Sequence, residues 1–185
     1  MTEFRICTER LVLRPWRDED LHPFTEMVLA PQFAEFLTPV AGTTGARDWV
    51  MTKRAHFSRH GFGPWVVELA QTQEFVGCIG LSVVPYEAAF TPAVEIAWRL
   101  AKQHRGAGYT TEAAKAALAD GFGRLGLSDI VANTSPGNLP SRRVMERIGM
   151  RHVLDFEHPL LPAGHPLRRQ VLYRANAPGG ASATA

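Results

Sequence analysis

The chain has 185 residues, 45% hydrophobic and 21% charged, which suits one soluble globular domain with a sizeable core. A formal net charge of +2, with Lys and Arg scattered along the chain, argues against a nucleic-acid partner, and no run approaches the roughly 20 apolar residues of a membrane helix. The start of the chain shows no secretory signal, and Cys7 and Cys78 form no CxxC pair, so buried free thiols in a reducing cytoplasm are expected.

In chain order, Arg10 to Arg14 alternates as a first strand stopped by Pro15. Asp18-Glu19-Asp20 then places negative charge at the start of a helix, where the helix dipole favours it. Gly42 to Gly45 reads as a loop before a second helix over Arg47 to His60. Trp65 to Glu68 and Phe75 to Leu81 flank Ala70-Gln71-Thr72-Gln73, the pattern of a hairpin. A further strand, Val94 to Leu100, follows a loop holding Pro85 and Pro92.

Next comes Gln103-His104-Arg105-Gly106-Ala107-Gly108-Tyr109-Thr110-Thr111-Glu112-Ala113, a glycine turn opening an alanine-rich helix. That helix runs to about Leu125 and presents Ala114, Leu118, Phe122 and Leu125 to a sheet. Ile130 to Ala132 is a strand, Pro140 to Ile148 a helix capped by Gly149, and Val171 to Tyr173 the last strand. Residues 1–174 form one domain in this reading; residues 175–185, small and polar with nothing to bury, are a disordered tail. Early strands followed by alternating strand and helix give a mixed α/β layered domain.

A strand feeding a glycine-broken turn into a helix is a device for holding anions. The first helical N–H groups lack partners, and the dipole adds roughly half a positive charge there. Gly106 and Gly108 let the backbone come within hydrogen-bond reach of a phosphate. A dinucleotide fold fails on spacing: Gly106-Ala107-Gly108 is followed by Tyr109-Thr110-Thr111 rather than completing GxGxxG, and the next strand ends Ala132-Asn133 with no acidic residue. No GxxxxGK[ST] loop is present either.

Gln103-His104-Arg105-Gly106-Ala107-Gly108 resembles the Q/R-x-x-G-x-G/A signature of the GNAT N-acyltransferase superfamily. Three more segments resemble its RimJ/RimL-like branch, the ribosomal-protein alanine N-acetyltransferases. They are Thr8-Glu9-Arg10-Leu11-Val12-Leu13-Arg14-Pro15, Gly108-Tyr109-Thr110-Thr111-Glu112-Ala113, and Asn138 to Met150 with its N-x-x-S pattern. The resemblance covers residues 8–173. It implies the GNAT fold: a twisted, mostly antiparallel mixed sheet of about six or seven strands, flanked by helices and splayed, usually with a bulge, at a central cofactor cleft.

The resemblance also implies acetyl-CoA as donor, an amine on a protein N-terminus or small molecule as acceptor, no metal, and homodimerisation as a common state. In such folds the amides of Arg105, Gly106, Ala107, Gly108, Tyr109 and Thr110 cradle the pyrophosphate. Main-chain groups of Trp98, Arg99 and Leu100 pair with the pantetheine as an added strand, and Asn138 and Ser141 lie near the thioester. Arg142, Arg143 and Arg147 are either cations for the 3′-phosphate or exposed helix charges; Arg147 is the one assigned to the cofactor.

Attack requires a neutral amine. A lysine amine of pKa about 10.4 is almost wholly protonated at neutral pH, whereas an α-amine near 7.7–8.0 is roughly a tenth neutral. Glu95, on the strand beside the cofactor, is the candidate base, or else a carboxylate that orients substrate or pairs with an arginine. Trp98 supplies an N–H for the oxyanion. Many superfamily members carry a tyrosine acid four residues before a Gly-Phe pair; here Met145 precedes Gly149-Met150. That leaves Ser141 as the hydroxyl for the leaving thiolate, or else a helix first-turn residue bonding backbone.

No residue is placed as a covalent nucleophile, so transfer is direct in a ternary complex. The other readings are a non-catalytic acyl-CoA-binding module and an enzyme using another donor such as succinyl-CoA. His56 and His60 have metal-ligand spacing, but a solvated helix face is the expected reading. The late loop around His158-Pro159-Leu160 and Gly164-His165-Pro166-Leu167-Arg168 is a candidate wall of the acceptor site; Phe33, Phe36 and Leu37 either wall it from the other side or, for at least two of them, pack in the core.

Overall fold

The structure, a computed structural model, describes residues 4–31 and 42–179. Phe33, Phe36 and Leu37 lie outside the described residues. Among the described residues eight strands form one sheet: β1 (Ile6–Cys7), β2 (Leu11–Arg14), β3 (Pro64–Leu69), β4 (Phe75–Val83), β5 (Val94–Leu100), β6 (Asp129–Thr134), β7 (Arg151–Glu157) and β8 (Arg169–Asn176). Their spatial order is β1-β2-β3-β4-β5-β6-β8-β7. Every neighbouring pair is antiparallel except β5 and β6.

Among the described residues four α-helices accompany the sheet: α1 (Leu21–Leu29), α2 (Gly42–His60), α3 (Tyr109–Gly123) and α4 (Leu139–Arg147). Strand alternation sorts the core into two layers. Leu11, Leu13, Trp65, Val67 and Ile79 pack with Ala113, Ala114, Ala117 and Leu118 of α3 on one face. Val66 and Cys78 turn to the other face, against Phe24 of α1 and Val50 of α2. The small residues of α3 let it sit close to the sheet: a Cβ at Gly121 would lie 2.6 Å from the Ile130 side chain.

The elements expected from sequence are present with adjusted limits. Gly42 to Gly45 belong to α2 rather than to a loop before it. Asp18–Asp20 is a single 3-10 turn, and α1 begins at Leu21. Asp20 is buried, and its carboxylate holds the Arg14 guanidinium through two 2.8 Å hydrogen bonds. The third member, Glu68, accepts from Arg14 Nε at 2.6 Å. β8 extends to Asn176 with Ala175 buried, so the last strand claims two residues assigned to the tail. Cys78 is buried as expected, but Cys7 is exposed on β1; both are free.

Candidate active site

β5 carries the site because it loses its neighbour. Its register with β4 is unbroken from Val83↔Val94 to Gly77↔Leu100, whereas with β6 a single pair forms, Glu95↔Val131. The sheet therefore splays on the β6 side without the expected bulge; register shifts occur instead at Val67/Glu68 and His152/Leu154.

The parity of the β4–β5 ladder fixes which backbone groups face the opening. Val84 N–H donates to Ala93 and Ala101 N–H to Val76, at 3.0 Å each. In an antiparallel ladder such hydrogen-bonded pairs alternate, so Glu95, Ala97 and Arg99 direct their N–H and C=O toward β4. Trp98 and Leu100 direct theirs into the splay. The three-residue expectation for the pantetheine arm is thus corrected: the Arg99 backbone is spent on Cys78 of β4. The Leu100 carbonyl already accepts from Arg105 Nε at 3.2 Å.

The glycine turn follows. Gly106 and Gly108 both have φ of +84°, a conformation that glycine adopts without penalty. Gly108 caps α3 with no side-chain hydrogen bond, which leaves the first amides of a fifteen-residue helix pointing into an exposed turn. Arg105 is the exception in the expected cradle, since its N–H donates to the Lys102 carbonyl at 3.2 Å.

A clamp that sequence reasoning missed holds this turn. Glu112 accepts from the Thr8 hydroxyl at 2.6 Å, the Arg10 amide at 3.0 Å and Arg10 Nε at 2.7 Å. Arg10 also donates to the Ala107 carbonyl at 3.0 Å, and its guanidinium lies 4.7 Å from the Tyr109 ring centre. Burial works against the Glu112 charge, but the Thr8 and Arg10 hydrogen bonds outweigh it and lower its pKa. The Thr8–Arg14 and Gly108–Ala113 segments, separate signals in the sequence, are one physical unit.

Between β5 and β6 lies a cleft of about 270 Å³ that is lined from both faces of the sheet. On the α3 side it is lined by Ile96, Trp98, Ser141 and Met145. Trp98 Nε1 donates to Ser141 Oγ at 3.3 Å, which leaves the Ser141 proton free to point elsewhere. Asn138 is the N-cap of α4: its Oδ1 accepts from the Ser141 amide at 3.3 Å, and its Nδ2 donates to Thr134 Oγ1 at 2.9 Å. It lines the cleft with its side chain already committed. Met145 occupies the wall where many superfamily members carry a tyrosine.

On the opposite face the cleft is lined by Glu95, Lys53, Arg99, Tyr86, Asn133 and His158. Glu95 Oε2 accepts from Asn133 Nδ2 at 3.2 Å. Burial raises the Glu95 pKa, and the Lys53 and Arg99 charges with the Asn133 hydrogen bond only partly offset this. Burial lowers the His158 pKa, and its ring lies 4.5 Å from that of Tyr86. The late loop therefore reaches the cleft through His158 and Leu160.

Lys53, Tyr86 and Asn133 carry no sequence signal beyond their residue type. Arg147 is exposed at the end of α4 and does not line the cleft; Arg142 is tied to Tyr173 and to the Pro136 carbonyl. His56 is not on a solvated face: its Nδ1 bonds the Phe62 carbonyl at 3.0 Å, and its Nε2 accepts from Val83 N–H at 3.1 Å. Both ring nitrogens serve the main chain.

Residues 10–151 match the family model of the acetyltransferase (GNAT) domain. The Bacillus subtilis (strain 168) protein YkkB is 30% identical over 149 residues, 80% of this chain and 86% of that one. An acetyltransferase structure from Agrobacterium tumefaciens str. C58 superposes with a TM-score of 0.77 at 28% identity, covering 95% of this chain and 96% of that one. Mycobacterium smegmatis RimJ, solved in complex with CoA-disulfide, gives 0.71 at 28% identity over 90% and 82%. With the splayed β5, the uncapped α3 and the glycine turn joining them, these matches establish that the chain belongs to the GNAT acetyltransferase family.

Proposed function

We propose that the protein transfers an acetyl group from acetyl-CoA to a primary amine by direct attack, the two substrates meeting in the cleft between β5 and β6. The observation that carries this reading is the parity of β5. Trp98 and Leu100 face the opening with their backbone groups, in line with the uncapped start of α3. A pantetheine arm laid along β5 would use those groups as a strand edge would, and its diphosphate would meet the amides of Gly106 to Thr110.

The chain's own residues then divide the chemistry. Glu95, on the face away from α3, accepts a proton from the amine directly or through water. The Trp98 N–H faces the slot, where it can donate to negative charge developing on the acyl oxygen. Ser141 Oγ, held by the Trp98 indole, is the hydroxyl placed to protonate the departing sulfur; a thiol of pKa near 8.5 makes this a modest contribution. Asn138 acts by fixing the start of α4 and hence Ser141. An exposed Arg147 or Arg143 remains within the proposal as a cation for the 3′-phosphate.

The test is coenzyme A release with acetyl-CoA across peptides, polyamines, aminoglycosides and amino acids. Release with at least one amine class is expected. Coenzyme A binding without release across the whole panel would leave only the binding-module reading, and turnover with succinyl-CoA alone would replace the donor.

The clamp gives a second expectation. Glu112→Gln removes the charge that anchors Arg10 to the turn, so coenzyme A affinity measured by calorimetry should fall about tenfold with little loss of folding. Because the Glu112 pKa is lowered in the fold, the clamp is fully present above the ordinary carboxylate range and is lost as pH falls through the lowered value. The affinity difference between wild type and variant should therefore persist from pH 8 to pH 5. Unchanged affinity would remove the clamp from cofactor binding.

A further inference from the structure

Two cations in the cleft have no partner that explains them. Lys53 Nζ lies 5.3 Å from the Trp49 ring centre and Arg99 Cζ 5.0 Å from the same ring. Among the described residues neither side chain makes an ion pair within 4.0 Å, and Arg99 Nε is buried with no hydrogen-bond partner. Both groups line the cleft on the Glu95 face. Two like charges gathered on one indole, with one carboxylate, Glu95, on the same cleft face and hydrogen-bonded to Asn133, leave a surplus of positive charge.

This face is opposite α3 and the glycine turn, so the surplus charge does not belong to the diphosphate site. It lies on the cleft face that carries Glu95, the base in the acetyl-transfer reading. Resting on the acetyl-transfer reading, we propose that Lys53 and Arg99 on Trp49 form a carboxylate-binding subsite and that the acceptor is a primary amine carrying a carboxylate, an amino acid or an acidic peptide. An incoming carboxylate would pair with the cleft-lining Lys53 ammonium and Arg99 guanidinium and screen the repulsion between the cations. Its amine would then be presented to Glu95 beside it.

The experiment compares ω-amino acids and acidic α-amino acids with their carboxamides, each acetylated from acetyl-CoA by wild type, Lys53→Met and Lys53→Arg. At least one acid should exceed its amide by about tenfold in kcat/KM. Lys53→Met should reduce that preference to under about threefold, mainly through KM, and Lys53→Arg should restore most of it. Calorimetric coenzyme A binding by each variant reports folding separately. Amides as good as acids in the wild type would overturn the proposal, as would a preference that survives Lys53→Met. If Lys53→Met instead abolishes use of succinyl-CoA whatever the acceptor, the carboxylate is the donor's and the acceptor assignment falls. Failure of every acid and amide while a polyamine or aminoglycoside still releases coenzyme A would overturn the acceptor assignment alone, whereas failure of the whole amine panel while coenzyme A still binds would strike the acetyl-transfer reading itself.

Discussion

Glu95→Gln should lower kcat/KM about 100-fold for a lysine-like or polyamine amine and about tenfold for an α-amine, because base assistance matters in proportion to how fully the amine is protonated. The wild-type rate should rise with pH through a limb set above the ordinary carboxylate pKa of 4.5, since burial raises Glu95. The variant should lack that limb. Stability should move the other way. A carboxyl whose pKa is raised by folding favours the folded state when protonated, and its unfavourable contribution develops as pH rises above the unfolded value. Glu95→Gln should thus be at least as stable as wild type at pH 8, the difference closing toward pH 4. Equal rates for the two proteins from pH 6 to pH 9 would remove Glu95 from the chemistry.

The second large effect lies away from the cleft. Arg14, Asp20 and Glu68 are 3%, 3% and 4% exposed, and they form one network linking β2, β3 and the turn before α1. Arg14→Leu leaves two buried carboxylates without their cation and should cost about 3–5 kcal/mol. For a chain of this size that is a fall in melting temperature of about 10 °C, read by thermal denaturation with the urea midpoint as a check. Replacing all three residues with apolar side chains of similar volume should recover much of the loss, because a buried ion network contributes little net stability over good packing. A single variant as stable as wild type would show that water reaches the network.

The parts of the site that were legible in the sequence are those in which local chemistry dictates geometry. Gly106 and Gly108 require positive φ and open a helix, so the turn can be read directly from the chain. Pro140 marks a helix start by residue type, and α4 begins one residue earlier at Leu139, with Asn138, expected only near the thioester, as its cap. The parity of β5 was not legible. Whether Trp98 or Arg99 turns its backbone to the cleft depends on register with β4, a long-range property on which composition is silent. Asp20 serves the helix start as expected, accepting from Arg17 N–H at 2.6 Å, but its second role, holding the buried Arg14, was not legible.

β7 was not legible because Arg151–Glu157 is an edge strand with mostly exposed residues, and its alternation spans only Leu154 to Glu157. β1 is only two residues long. Lys53 and Asn133 reach Glu95 from α2 and β6, elements far apart in the chain, and neither position breaks the pattern of its own element. The Arg10–Glu112 clamp is a similar case: each half sat inside a recognised segment, and only the packing of β2 beside the start of α3 shows why the two occur together.

The most direct measurement is a titration of isotope-labelled protein with coenzyme A, followed by backbone amide shifts. The account predicts saturable shifts at Gly108, Tyr109, Thr110, Trp98 and Leu100, with smaller changes at Arg99 and Arg105, whose N–H groups are already spent on β4 and on Lys102. Binding that leaves the first five amides unmoved at saturation, or that perturbs Arg99 and Arg105 most, would contradict the account.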